Sequence, residues 1–214
     1  MNFTIPKEKI IKLLNKQIKN VFFLSKHESN ILKKYYDEVL KRCEKCFFQN
    51  PNKYYKKEIN GRNDDVYFNP YHSVQYMIFL YYFSNTLYYN TLEKELCDKI
   101  YYLNKMLNGV DIYPAVQLPS FFMAEHPVGS VIGRAKIGEG FMFFQNCTLG
   151  GIERDKKEIY PELGNNVIMY AGSSILGECI IGNNVNIGAG AIVKNQNIPE
   201  NHTVFGVSPN LIIK

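Results

Sequence analysis

The chain has 214 residues, a formal net charge of +5 and 46% hydrophobic residues, enough to bury a core in one or two domains. A modest positive balance without basic runs interleaved with aromatics argues against a nucleic-acid partner and is compatible with an anionic small ligand. Five cysteines, with Cys43 and Cys46 as a lone CxxC pair, argue against a disulfide framework and a four-ligand zinc site.

The segment from Met1 to Lys9 has no apolar stretch of signal-peptide type, so a cytoplasmic protein is expected. Residues 1–108 read as a helical domain. Ile10, Leu13, Leu14, Ile18, Val21 and Phe22 form one amphipathic face, and Ile31, Leu32, Tyr35, Val39, Leu40 and Cys43 form a second. From Asn50 to Pro70 the chain is rich in Asn, Asp, Gly and Pro and reads as a loop. Tyr71 to Tyr89 is aromatic nearly all round, which predicts a helix buried between subunits or neighbouring helices. Its apolar core, Tyr76 to Phe83, falls far short of the roughly 20 residues that span a bilayer. Leu92, Leu96, Ile100, Leu103 and Leu107 mark a fourth helix, and Asn108-Gly109 ends the helical part.

Residues 109–214 follow a different period. Leu163, Met169, Ile175, Ile181, Ile187 and Val193 are each six apart. Small or β-branched residues recur four positions on, at Val167, Ser173, Cys179, Val185 and Ala191. Neither a helical nor a simple strand period gives this pattern; it is the hexapeptide signature of a parallel β-helix, in which three six-residue units close one triangular coil. Stacked coils bury a continuous column, with the repeated aliphatics inward and Gly-Asn corners at Gly164-Asn165-Asn166 and Gly182-Asn183-Asn184. Upstream, Val131, Ile137, Phe143 and Leu149 continue the series. The fold class is therefore α+β, a helical N-terminal domain followed by a β-helix. An irregular tail with Pro199 and Pro209 closes it.

The register breaks twice. The charged segment from Ile152 to Tyr160 reads as an extruded loop, and an extra residue falls within Phe121 to Gly129. Breaks in a regular scaffold are where function concentrates. His126 lies in the second break, and among four histidines it is the candidate base. Asp111, almost one coil earlier, is the candidate carboxylate that orients the imidazole and stabilises its charged form. Backbone N–H groups near Gly150 and Gly151 are candidates for stabilising an oxyanion.

Four stretches resemble the serine acetyltransferase branch of the hexapeptide acyltransferases. They are Gly109 to Pro114, Ala124 to Gly129, Cys147 to Gly151, and Ile187 to Ala191 together with Val204 to Pro209. The spacing 126 − 111 = 15 matches the family's His and Asp. The resemblance implies a left-handed helix, an exception to the usual crossover hand. It implies catalytic His126 and Asp111, and acetyl-CoA as cosubstrate in a groove between subunits of a homotrimer. Whether the helical domain pairs two trimers is left open. It also implies acceptor contacts at Glu125, Tyr160 and Tyr170, cofactor contacts at Gly150, Gly151, Ala171, Ala189, Lys194 and Lys214, and no metal.

The chain departs from the family where the acceptor binds. The family's Arg-His-Pro at the end of the extruded loop is Ile159-Tyr160-Pro161 here, and its Asp before the catalytic His is Glu125. A guanidinium suits a carboxylate and isoleucine does not. This favours a sugar hydroxyl of a capsule or surface glycan as acceptor, with Tyr160, Phe143 and Phe144 as flat surfaces for the ring. Serine O-acetylation in cysteine biosynthesis is the alternative, and a non-catalytic assembly protein a further one. A zinc-dependent γ-class carbonic anhydrase needs three coil histidines, and only His126 and His202 are present.

Overall fold

The computed structural model describes residues 1–59 and 62–214. The chain divides into two compact units, Met1–Asn108 and Gly109–Lys214.

In the first unit, β1 (Asn2–Phe3) precedes α1 (Lys7–Val21) and α2 (Lys26–Phe48). Ser25 and Glu28 close a capping box at the start of α2. The segment expected to be a loop instead contains β2 (Lys56–Ile59) and β3 (Arg62–Phe68), which with β1 form a three-stranded sheet in the order β1-β3-β2. Tertiary pairing outweighs the low strand propensity of its Asn and Asp residues. Next come α3 (Ser73–Asn90) and α4 (Lys94–Asn108). Every residue from Gln75 to Leu87 is buried, so α3 is the central helix of this unit. Leu92 is exposed and lies outside α4, contrary to its assignment to the fourth helical face. No helix among the described residues is long and apolar enough to cross a membrane.

The second unit is a parallel β-helix with three faces. Face A stacks β4 (Asp111–Ile112), β6 (Val131–Ile132), β9 (Thr148–Gly150), β14 (Ser174–Leu176) and β17 (Ile192–Lys194). Face B stacks β5 (Phe122–Ala124), β8 (Phe141–Phe143), β13 (Ile168–Met169), β16 (Asn186–Ile187) and β18 (Thr203–Val207). Face C stacks β7 (Lys136–Ile137), β12 (Glu162–Leu163) and β15 (Ile180–Ile181). Leu163, Met169, Ile175, Ile181, Ile187 and Val193 are all buried, as the period requires.

Upstream the register slips by one. Val131 is 43% exposed, while Ile132 is 1% exposed and pairs with Leu149. Ile132 and Ile137 are five apart instead of six, and the residue missing between β6 and β7 reverses which neighbour faces the core.

The corner between faces C and B is held by an asparagine ladder. Asn165 Oδ1 accepts from the Glu139 N–H at 2.9 Å, and Asn183 Oδ1 accepts from the Asn165 N–H at 2.8 Å. Asn166, Asn184 and Asn201 carry positive φ at the same corner and are linked amide to amide. Asparagine tolerates that conformation at lower cost than most side chains. The extruded segment is a hairpin, β10 (Ile152–Arg154) and β11 (Lys157–Ile159), turned by Asp155 and Lys156 at φ 52° and 61°. The tail is regular rather than irregular: β19 (Asn210–Ile213) folds back antiparallel on β18.

Candidate active site

The triangular coil sorts the candidate residues by corner. From face B to face A the chain passes through Glu125 and His126, one coil on through Gln145, then Tyr170 and Ala171, then Ala189. Backbone bonds tie these bends into one column: the N–H groups of Asn146, Gly172 and Gly190 donate to the carbonyls of Val128, Gln145 and Ala171 at 2.9–3.0 Å. The column starts at an exposed His126 with φ 49°, an uncommon conformation for a side-chain-bearing residue and a frequent mark of functional sites. Phe144 and Tyr170 stack at 5.3 Å and 20° along it, and Tyr170 is 39% exposed.

Asp111 begins face A beside the His126 bend. Two backbone bonds clamp them: the Gly129 N–H donates to the Gly109 carbonyl at 2.7 Å, and the Asp111 N–H to the Ser130 carbonyl at 2.8 Å. The scaffold thus sets the two candidate residues on adjacent coils at one corner. Among the described residues the His126 ring makes no hydrogen bond, so its expected bond to Asp111 is not formed in this chain. Catalytic hydrogen bonds are often long before substrate binds.

The corner from face A to face C holds a second group. Gly150 and Gly151 lead into the hairpin there, and Tyr160 and Pro161 lead out. The Tyr160 ring lies against Gly151, so close that a methyl on Gly151 would meet it at 2.7 Å. The Tyr160 hydroxyl donates to Glu158 Oε2 at 2.7 Å, and Arg134 Nη1 lies 3.8 Å from the same oxygen. The bond to the Glu158 carboxylate raises the Tyr160 pKa, and the Arg134 guanidinium opposes that rise. Arg154 pairs with Glu178 at 2.8 Å, which ties the hairpin to the next coil as Arg134 ties it to the preceding one. Lys194 is exposed near this corner, its N–H bonded to Ser208 Oγ at 3.0 Å. Lys214 is exposed at the end of β19.

One chain therefore separates the candidate residues. His126, Asp111, Glu125, Tyr170, Ala171 and Ala189 share one corner; Gly150, Gly151, Tyr160 and Lys194 sit at another, across face A. At about 3.3 Å per extended residue, that face keeps the two groups on the order of 10 Å apart.

Phe143, expected to offer a surface to a sugar ring, is fully buried and stacks on Phe141 at 5.7 Å. The even positions of β8 point outward and Phe143 is not one of them. Sequence reasoning missed Arg134 and Gln145. Gln145 Oε1 is buried with no hydrogen-bond partner, an uncommon state that marks its corner as a place for a ligand or water. No group of three metal-ligating side chains occurs among the described residues.

Residues 160–195 match the bacterial transferase hexapeptide (six repeats) family. That match and the three stacked faces make this unit similar to the hexapeptide-repeat proteins. The chain is moreover serine acetyltransferase-like. It is 37% identical over 114 residues to the serine acetyltransferase of Synechococcus elongatus, a match covering 53% of this chain and 46% of that one. It is 38% identical over 113 residues to that of Staphylococcus epidermidis, 52% of each. The chain spans about half the length of these curated relatives. Among solved structures, the Neisseria gonorrhoeae serine acetyltransferase in complex with serine superposes with a TM-score of 0.68 at 27% identity, over 90% of this chain and 79% of that one. The α+β fold, helices followed by a parallel β-helix, is the one expected.

These relatives overturn the glycan acceptor expected from the sequence, because the similar proteins are named for serine. The expectation leaned on a missing guanidinium at Ile159. The fold places one, Arg134, beside Tyr160 from the preceding coil.

Proposed function

We propose that this protein is an acetyl-CoA-dependent O-acetyltransferase that acylates serine, the first committed chemistry toward cysteine. The observation that supports it most is the 37–38% identity to serine acetyltransferases from two bacteria. In this reading His126 removes the proton from the acceptor hydroxyl as the oxygen attacks the thioester carbonyl carbon. The C–S bond then breaks, and the imidazolium returns the proton to the CoA sulfur. Asp111 stabilises the imidazolium. Gly150 and Gly151 contribute backbone N–H groups to the oxyanion.

The column of Ala171, Ala189 and Gly190 suits a slender pantetheine arm. A methyl added at Gly190 would meet nothing within 4 Å, so the backbone is open to close approach there. Because His126 and the hairpin corner lie across face A from each other, the reading requires a second copy. In a trimer, the hairpin corner of one protomer would meet the His126 corner of its neighbour.

The test is thiol release from acetyl-CoA by the full chain with and without serine. Serine-dependent release at least tenfold above hydrolysis is expected; release unaffected by serine would overturn the reading. A bare assembly protein would also gain no thermal stability from acetyl-CoA.

A further inference from the structure

Resting on the serine reading, we infer that Arg134 is the group that recognises the acceptor carboxylate, with Glu158 beside it for the ammonium. A free amino acid presents both charges within one small molecule, so its site needs a cation and an anion side by side. The hairpin corner supplies that pair. Arg134 and Glu158 stand 3.8 Å apart at the base of the hairpin. That separation is too long for a direct hydrogen bond to the carboxylate, and although the guanidinium also meets Tyr160, its five donors leave some of the planar fork for an incoming carboxylate. Glu158 Oε2 is fixed instead by the Tyr160 hydroxyl at 2.7 Å.

The backbone under Arg134 is rigid. Its neighbour Gly133 donates its N–H to the Leu149 carbonyl at 2.7 Å, and the Lys136 N–H reaches the Pro161 carbonyl at 3.2 Å. Arg134 therefore projects from a coil corner locked on both sides to the strand before and the strand after the hairpin. Arg134 and Glu158 remain more than half exposed, 55% and 64%, so a small solute can reach them. The guanidinium that Ile159 does not supply comes from the coil below rather than from the hairpin itself.

The test compares wild type with Arg134→Gln and Arg134→Lys, using serine and serinamide, whose carboxylate is replaced by a neutral amide. Losing a charge-assisted bidentate contact is expected to raise KM for serine by about tenfold to a hundredfold. The lysine variant should recover part of that loss. KM for serinamide should be the same in all three proteins, and kcat should change little. An unchanged serine KM in Arg134→Gln, or equal losses for serine and serinamide, would overturn the role of Arg134 while leaving the serine reading intact. Absence of serine-dependent release in the wild type would overturn both. Arg134 is exposed, so retained thermal unfolding of the variants shows that the coils are unchanged.

Discussion

Two glycines at the His126 corner separate backbone strain from crowding. Gly129 and Gly190 have nearly the same dihedral, φ 77° and 70°. A methyl at Gly190 would meet nothing within 4 Å, whereas one at Gly129 would overlap Asn146 Oδ1. Gly190→Ala therefore carries only the left-handed penalty, roughly 1–2 kcal/mol. Gly129→Ala carries the same penalty and must also displace the Asn146 amide, which adds about 1 kcal/mol at the low end of overpacking costs. Gly129 is bonded through its N–H to the Gly109 carbonyl, the clamp that aligns the His126 bend with the Asp111 strand. Chemical denaturation of both variants beside the wild type gives the difference directly. Serine-dependent thiol release should fall in Gly129→Ala by more than its loss of folded protein explains. Equal destabilisation of the two variants, with full activity in Gly129→Ala, would refute the argument that this bend is tightly specified.

Replacing His126 with Ala should cut acetyl transfer by about 10²- to 10⁴-fold with the fold intact, read as thiol release. In the helical unit, Lys99 Nζ bonds Glu28 Oε1 at 2.7 Å with both side chains nearly buried. Lys99 also bonds Glu95 Oε1 at 2.7 Å, so Glu28→Gln removes one of its two carboxylates and should destabilise this unit by about 1–3 kcal/mol. Burial alone would raise the Glu28 pKa, but bonds from Lys99 and Ser25 outweigh it and the net shift is downward. The pair's stability is thus present above the unfolded carboxylate value and fades as pH falls through the folded one. Stability curves of wild type and Glu28→Gln should therefore converge as pH falls below the usual carboxylate range. At the alkaline end Lys99, whose pKa is raised by its bonds to Glu28 and Glu95 despite burial, keeps its share until pH passes above the usual lysine value.

The coil period was legible because it repeats the same inward aliphatic and small residue, so every unit reinforces the assignment. It failed at Val131, where one residue fewer between β6 and β7 puts Ile132 in the core. The β2–β3 pair was hidden because its strands take their stability from neighbours rather than from alternation within the strand. His126 could be found from a break in the repeat. Arg134 could not: it lies 24 residues before Glu158, and only the stacking of coils brings the two together. Reading the acceptor from the hairpin residues alone therefore missed the guanidinium and favoured the wrong substrate.

The corner assignment makes a demand that kinetics can test. If the base comes from one protomer and the guanidinium from the next, a His126→Ala chain and a chain carrying Arg134→Gln with Tyr160→Ala are each impaired in every site of their own homotrimer. Refolding the two together at equal concentration changes this. A site regains both halves when a protomer with intact His126 precedes one with intact Arg134, which random assembly in a closed ring gives at about one quarter of sites. Thiol release at low serine should therefore rise well above the average of the separate variants and approach about a quarter of wild type. Were both halves drawn from the same chain, no mixed assembly would contain an intact site and mixing would restore nothing. The proposed reading expects the mixed result, because face A holds His126 and Arg134 at its two ends, on the order of 10 Å apart along a hydrogen-bonded strand.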